Sequence, residues 1–322
     1  MTKSETIFAP AKTALSLAVL VLPQSSILEV ASTLDPMRAA NRHLGYDAYR
    51  WRIVSPDGQA VPLTCGIELP SAGGLAAAKG ADALVVIAGF AQWQGAGPAV
   101  IRDLSRMGPQ FAALGAIDAG AWVLARAGLL AGYRATVHWE DAEDFAAAHS
   151  NVDVVPDRFV IDRNRFTAGG AAPAADLMLH LIRARHGAAL SLQVAASFIT
   201  TARSGSEPQM ASAPLDPRLD PRVAAAMARI ESQLDSPETA AEIAKNLGLS
   251  PRRLEQLFQA ALGLTPAVYA LTLRLQAARR MITDTRHPLT DVALRCGFSS
   301  ASSLSRAFRR QYGLPPNRLR AR

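Results

Sequence analysis

Ile243-Ala244-Lys245-Asn246-Leu247-Gly248-Leu249-Ser250 runs on to Phe258, Gly263 and Pro266. Val292-Ala293-Leu294-Arg295-Cys296-Gly297-Phe298-Ser299 runs on to Phe308, Gly313 and Pro316. The two stretches are copies of one segment. Their Ala, Gly and Ser matches lie 49 positions apart and their Phe, Gly and Pro matches 50 apart, so the second copy carries one extra residue. Each reads as a short helix, a Gly-bearing turn and a second helix, the helix-turn-helix pattern.

Charge follows the repeat. Residues 1–212 hold 17 Lys/Arg and 18 Asp/Glu, a balance of −1, whereas residues 213–322 hold 17 and 9, a balance of +8. Sixteen of those last 17 basic residues are Arg. A near-neutral half joined to a basic half implies a sensing module and a module that binds a polyanion. At 322 residues, two domains are expected, each with its own core. Cys65 and Cys296 are the only cysteines, which argues against a disulfide framework or a cysteine-rich metal site. The apolar run Ala14–Leu22 is too short to span a bilayer and reads as a buried strand, and a cytoplasmic protein with no metal, no cofactor and no membrane partner is expected.

In the second helix of the first copy, Leu254, Leu257 and Phe258 fall at i, i+3 and i+4 and form its buried face. Arg252, Arg253, Gln256 and Gln259 are left outside. In the second copy Leu304, Ala307 and Phe308 bury, leaving Ser302, Ser305, Arg306, Arg309 and Arg310. A helix in the major groove reads bases with side chains near its N-terminus and touches phosphates with flanking basic groups. Arg can grip guanine and Gln adenine, each through two bonds; the alternative for each Arg is a phosphate contact or a solvated charge. Residues 222–320 resemble the AraC/XylS family of transcription regulators. The resemblance rests on Ile243-Ala244, the helix Leu271–Met281 between the units, and Asp291-Val292-Ala293, Gly297-Phe298-Ser299, Ser305-Arg306-Ala307-Phe308 and Gly313-Leu314-Pro315-Pro316. It implies two recognition helices in successive major grooves of one duplex face. Leu304, Ser303 and Leu319 stand where the family has Phe, Tyr and Tyr.

From Leu15 to Leu181, strand-like and helix-like runs alternate, which predicts an α/β fold, a doubly wound, mostly parallel sheet. Strands are expected over Leu15–Leu22, Tyr49–Ser55, Ala83–Ile87, Gln110–Ile117, Arg134–Thr136, Val152–Val155, Phe159–Asp162 and Phe166–Thr167. Helices are expected over Ile27–Leu44, Ala99–Met107, Ala119–Ala127, Glu140–Ala148, Ala174–His186 and Leu190–Ala202. Arg203–Pro221, with its four prolines, marks a linker. Ser236-Pro237-Glu238 reads as a helix start with Ser236 as N-cap. The expected organisation is a sensing domain over 13–188, a helix and linker over 189–221, and an all-α domain with two helix-turn-helix units over 222–322.

Gly115-Ala116-Ile117-Asp118-Ala119-Gly120-Ala121 joins an apolar strand to a helix rich in small residues. This is the shape of a nucleophile elbow, with Asp118 at the tip. His138 follows in Ala135-Thr136-Val137-His138-Trp139-Glu140. The arrangement resembles the PfpI/ThiJ branch of the class I glutamine amidotransferase-like fold, where Cys occupies the tip with a His near it. Thr167-Ala168-Gly169-Gly170 and Asp176-Leu177-Met178-Leu179-His180 match family blocks. Its pairing with tandem AraC-type units resembles the GlxA-like regulators. Asp35–Arg42, Ala127–Leu130 and Ile161–Arg165 bring it nearest the subgroup of glycine betaine, carnitine and arginine catabolism regulators, which also carry Asp at the elbow. Ala168 and Ala172 replace the Cys or Ser and the Thr of that subgroup.

Asp118 lacks the nucleophilicity of a thiolate, and neither cysteine is placed to substitute. A carboxylate at the tip suits a cation. Trp93, Trp122 and Trp139 offer aromatic faces of the kind that cage quaternary ammonium groups, or else pack in the core. Asp118 either meets a ligand or caps the helix that follows. His138 either orients a ligand carboxylate or satisfies buried backbone. Gly89 or Phe90 offers a backbone N–H to a ligand carboxylate, and Asp35 and Glu29 both stand near where enzyme relatives place an acidic partner, either, or neither, entering the pocket. The reading is a ligand-responsive, DNA-binding transcription regulator that is not an enzyme. Its partners are double-stranded DNA, a small cationic amino-acid-derived effector, a second copy in a homodimer, and RNA polymerase if it activates. The alternatives are a PfpI/ThiJ-like hydrolase or amidotransferase-like enzyme with a DNA-binding appendage, and a sensor domain serving only as a dimerisation scaffold.

Overall fold

The computed structural model describes residues 7–89, 95–209, 219–284 and 287–320. The chain forms two compact units, Met1–Ala211 and Ser212–Arg322. The first is built on strands β1 (Leu15–Val21), β2 (Tyr49–Val54), β3 (Val61–Pro62), β4 (Glu68–Leu69), β5 (Ala83–Ala88), β6 (Ala113–Asp118), β7 (Arg134–Ala135), β8 (Asp153–Val154), β9 (Phe159–Asp162) and β10 (Arg165–Ala168). Its helices are α1 (Ile27–Leu44), α2 (Pro98–Met107), α3 (Gly120–Arg126), α4 (Ala142–Ala148), α5 (Ala171–His186) and α6 (Ala188–Ser197). The main sheet has the order β2-β1-β5-β6-β10-β9. Its first five strands are mutually parallel, and only β9 pairs antiparallel, with β10.

Such a sheet must be covered on both faces, because its strands β1, β5 and β6 are apolar on both sides. In β1, Leu17, Val19 and Val21 enter one core with residues of α1, α5 and α6. Ala18 and Leu20 enter the other, with α2, α3 and α4. The strand order reverses at β1, which has β2 on one side and β5 on the other. Ligands in open parallel sheets bind beyond the carboxyl ends of the strands at such a reversal. The loops there are β1–α1, β5–α2 and β6–α3.

Two glycines set the centre of the sheet. A Cβ on Gly115 would lie 2.1 Å from the ring of Phe166, which is fully buried on the adjacent β10. A Cβ on Gly120 would lie 2.2 Å from the carbonyl oxygen of Val86, so the first residue of α3 can press against β5 only without a side chain.

The second unit contains α7 (Pro221–Ser232), α8 (Ala240–Asn246), α9 (Pro251–Leu262), α10 (Pro266–Asp284), α11 (Leu289–Arg295), α12 (Ala301–Tyr312) and α13 (Asn317–Arg320). Helices α8–α9 and α11–α12 are the two helix-turn-helix units. Gly248 and Gly297 sit in their turns at φ 68° and 70°, a left-handed conformation that glycine adopts without steric cost. Gly263 and Gly313 cap α9 and α12 in the same conformation. There are two cores. Ile243, Leu254 and Phe258 pack with Tyr269 and Leu273 of α10, while Leu304, Phe308 and Val292 pack with Leu275, Ala278 and Ile282 of the same helix. Arg274 of α10 donates to the carbonyls of Cys296 and Gly297 and lies over the Phe298 ring at 4.2 Å, which fixes the second turn.

The sequence-based helix Ile27–Leu44 has the observed bounds, set by a capping box at Ser26 and a left-handed Gly45. Other ends moved. The expected strand Gln110–Ile117 begins at Ala113, because Gly108–Gln110 forms a 3-10 turn. The expected start at Ser236 is corrected: Thr239 caps α8 with Glu242 in a capping box, and Glu238 instead pairs with Arg229. The expected helix Leu190–Ala202 ends at Ser197.

Gly115→Ala is expected to destabilise the first unit by about 1–3 kcal/mol, the cost of overpacking a filled core. Denaturant unfolding of this variant checks it. Combining it with Phe166→Leu should recover part of the loss; an additive double variant would contradict the packing account.

Candidate functional site

The carboxyl edge of the sheet gathers the site. Strand β6 ends at Asp118, which has φ 56°, a left-handed backbone that costs a non-glycine residue roughly 1–3 kcal/mol. The next residue, Ala119, donates its N–H to the Ala88 carbonyl at the end of β5. The chain then enters α3 through Gly120. This tight turn lifts the Asp118 side chain over the strand end, the elbow expected from the sequence. Asp118 is not the N-cap: that position is Ala119, and no side chain caps α3.

Asp118 is only 5 % exposed, and among the described residues no N–H or hydroxyl donates to its Oδ1. Its neighbour is Glu29, also 5 % exposed. Glu29 is the N3 residue of the capping box of α1, so its carboxylate is held by the Ser26 N–H. Asp35 lies elsewhere on α1, in an exposed pair with Arg38, so Glu29 is the acidic partner. Burial raises the Asp118 pKa well above the aspartate value of 3.8, and the Glu29 carboxyl and the charge of Asp141 push it further the same way. Burial also raises Glu29, offset by its hydrogen bond to Asp118. Two buried carboxyls in contact cannot both ionise cheaply. They keep one proton between them over a range where an isolated aspartate has lost it.

The β7–α4 loop carries His138 and Trp139. His138 is half-buried, and a Cβ on Gly170 would lie 3.6 Å from its Cδ2. Because Ala168 of β10 pairs with Ile117 of β6, the Gly169-Gly170 turn that follows is brought to the same edge as Asp118. Trp139 is 41 % exposed. Trp122 is half-buried: its ring packs edge-on to Phe145 at 5.0 Å and its Nε1–H donates to Asp141 Oδ2 at 3.2 Å. Gly89 is needed as glycine, since a Cβ there would lie 2.7 Å from the Gln24 carbonyl. Phe90 and Trp93 lie outside the described residues. Sequence reasoning missed Asp141 and Gln209, whose side-chain amide bonds Val137, Thr136 and Trp139. Among the described residues no group of three or more His, Cys, Asp or Glu is placed to hold a metal ion.

On the second unit, Leu254, Phe258, Leu304 and Phe308 are fully buried. Arg252, Arg253, Gln256 and Gln259 on α9 are exposed, as are Ser302, Arg306, Arg309 and Arg310 on α12; Ser305 is half-buried. Ser250 and Ser300 cap the two helices, accepting from Arg253 N–H and Ser303 N–H.

Comparison with known proteins agrees with both halves. The helix-turn-helix domain model matches residues 243–322 and the DJ-1/PfpI family model matches residues 16–184. The HTH-type transcriptional regulator CdhR of Pseudomonas aeruginosa is 35 % identical over 94 % of this chain and 90 % of its own. The chain belongs to the AraC-type transcriptional regulators that carry a DJ-1/PfpI domain. The HTH-type transcriptional regulator GlxA of Rhizobium meliloti is 29 % identical over 94 % of each chain. A crystal structure of a ThiJ/PfpI family protein from Pseudomonas syringae shares the fold, with a TM-score of 0.51 at 17 % identity over 76 % of this chain and 93 % of that one. The regulator therefore binds DNA through its C-terminal unit. None of its described helices is long and apolar enough to cross a membrane.

The raised Asp118 pKa makes a sign-definite statement about stability. The folded protein binds this proton more tightly than the unfolded chain does. Its stabilising contribution is full below the unfolded value of 3.8 and is lost as pH rises through the folded value. Asp118→Asn removes that loss. The variant is expected to melt at least about 2 °C above wild type near pH 8, with a smaller gain near the ordinary aspartate pKa. A thermal melt in which Asn is the less stable residue near pH 8 would show that Asp118 carries no such burden.

Proposed function

We propose that the regulator is switched by a small cationic, amino-acid-derived metabolite of the betaine, carnitine or arginine class, bound at the carboxyl edge of the sensing sheet. The observation that carries this reading is the buried Asp118 carboxyl set against the Glu29 carboxyl, with no N–H or hydroxyl among the described residues donating to its Oδ1. An acceptor buried without a donor is costly unless something else supplies one. Asp141 adds a third carboxylate to the neighbourhood. A cation entering here displaces the shared proton and gains two carboxylate partners. His138 and the backbone near Gly89 and Phe90 are the groups to meet the ligand's own carboxylate, and Trp93, Trp122 and Trp139 the aromatic faces beside its cation.

The sensing unit is not an enzyme on this reading. An elbow carboxyl that shares a proton is a weak nucleophile, and activation by a base would leave two adjacent charges. The regulator acts as a homodimer in the cytoplasm, Arg252, Arg253, Gln256 and Gln259 entering one major groove and Ser302, Ser305, Arg306, Arg309 and Arg310 the next, with RNA polymerase as a further partner if it activates. The three domain spans, 13–188, 189–221 and 222–322, correspond to sensing, connection and DNA binding.

A thermal-shift screen over betaines, carnitine, choline and basic amino acids tests the ligand class, because a ligand that binds only the folded state raises the midpoint. Asp118→Asn is expected to weaken a cationic hit about tenfold to a hundredfold, the worth of one charge-assisted contact. Wild-type affinity should rise with pH while the carboxyl pair loses its proton. Calorimetry giving equal affinities for the two proteins, or hits that all lack a cationic group, removes the cation.

For DNA, log affinity of the full chain is expected to fall linearly with log salt. Arg306→Ala should relax preference at one base pair, at roughly 1–3 kcal/mol. A uniform loss on all duplexes would make Arg306 a phosphate contact.

A further inference from the structure

The segment after α6 was expected to be plain linker, but residues 203–209 are strapped to the sensing unit. At one end, the Arg203 N–H donates to Asp176 Oδ1 at 3.0 Å. The other oxygen of Asp176 is held by the buried Arg158 guanidinium at 2.6 Å. In the middle, the Arg158 N–H is shared by the carbonyls of Gly205 and Glu207, at 2.9 and 3.0 Å. At the far end, Gln209 uses its whole side-chain amide. Its Nε2 donates to Val137 O at 2.7 Å, Thr136 Oγ1 at 2.8 Å and Asp157 O at 3.1 Å, and its Oε1 accepts from the Trp139 N–H at 3.0 Å.

The amide sits in a slot that glycine leaves open. A Cβ on Gly169 would lie 2.2 Å from the Gln209 amide atoms. The neighbouring Gly170 faces His138. A tether needs none of this: polar connecting chain is satisfied by water. Here one glutamine instead joins the His138–Trp139 loop and the end of β10. Nine residues further along, after Gln209, the chain has reached Arg218, and α7 of the DNA-binding unit starts at Pro221.

We propose that Gln209 is the contact through which the sensing site controls the connection to the DNA-binding unit. A ligand that shifts the His138–Trp139 loop must break or tighten the Trp139–Gln209 bond. That frees or fixes residues 203–209, and so changes the freedom of the chain leading to α7. By linkage, what holds the strap must alter ligand affinity equally. The coupling to ligand rests on the placement of the effector site at the sheet edge; the coupling of strap to DNA does not.

The test uses the full chain, hydrogen exchange read by mass spectrometry, and a duplex selected from random sequence with wild-type protein. Gln209→Ala and Gly169→Ala are compared with Ser206→Ala, which leaves the amide slot intact. In wild type, the amides of Arg203, Ser204, Glu207, Gln209 and Trp139, which all donate hydrogen bonds, are expected to be protected. Gln209→Ala and Gly169→Ala should each accelerate their exchange about tenfold and change duplex affinity about fivefold or more, in the same direction. Ser206→Ala should do neither. Gln209→Ala removes no core group, so it remains readable if Gly169→Ala fails to fold. Unchanged exchange in Gln209→Ala, or faster exchange with unchanged duplex affinity, overturns the proposal. L-arginine and glycine betaine serve as ligand probes. A probe that binds by calorimetry should alter exchange at 203–209; binding without that change overturns the coupling to ligand. If neither probe binds, the cationic-ligand reading loses its support, while the variant comparison still decides whether Gln209 governs the DNA-binding unit.

Discussion

The close approach of β5, β6 and the start of α3 is the constraint on which the first unit turns. Gly120 lies against the Val86 carbonyl with no room for a side chain, and Ala119 bonds to Ala88. Those two contacts force the chain to reverse at Asp118 in a left-handed conformation. The reversal in turn buries a carboxyl at the carboxyl edge of the sheet, beside the Glu29 that the first turn of α1 presents. In the enzyme relatives implied by the sequence resemblance, this geometry lifts a thiol. Here it holds a carboxyl whose proton is stabilised by burial and by its neighbour. Strain and like-charge crowding at one point are destabilising, and they persist where a site uses them.

The DNA-binding unit is organised by a different device. Helix α10 serves two cores, giving Tyr269 and Leu273 to the first helix-turn-helix unit and Leu275, Ala278 and Ile282 to the second. Arg274, between those groups, secures the second turn. A helix shared in this way fixes the spacing of α9 and α12. Arg274 also shows that a basic residue in this unit need not be a DNA contact: it is consumed by two carbonyls and an aromatic face.

Much of this was legible in the sequence because it is written in local pattern. The duplicated Ala–Gly–Ser and Phe–Gly–Pro spacings marked both helix-turn-helix units. Ser26 and Gly45 bounded α1, and the small residues after Ile117 marked the elbow. Features that depend on distant contacts were not legible. Nothing in the pattern chose Glu29 over Asp35 as the acidic partner; the choice depends on which face of α1 meets the sheet. Gln209 bonds a residue 70 positions away, with no periodic signal to announce it. Ser236 looked like a cap, yet the capping box of Thr239 and Glu242 prevailed because it satisfies two backbone donors reciprocally. Trp122 offered an aromatic face, and its edge-on contact with Phe145 and its bond to Asp141 could be read only from the fold.

The central claim is that Asp118 and Glu29 share a proton at the elbow. A carbon-13 NMR titration of the Asp118 side-chain carboxyl in the full chain addresses it directly. The account expects a midpoint above the ordinary aspartate value of 3.8 in wild type, moving down when Glu29→Gln removes the neighbouring charge. A wild-type midpoint at the ordinary value, unmoved by Glu29→Gln, would contradict it.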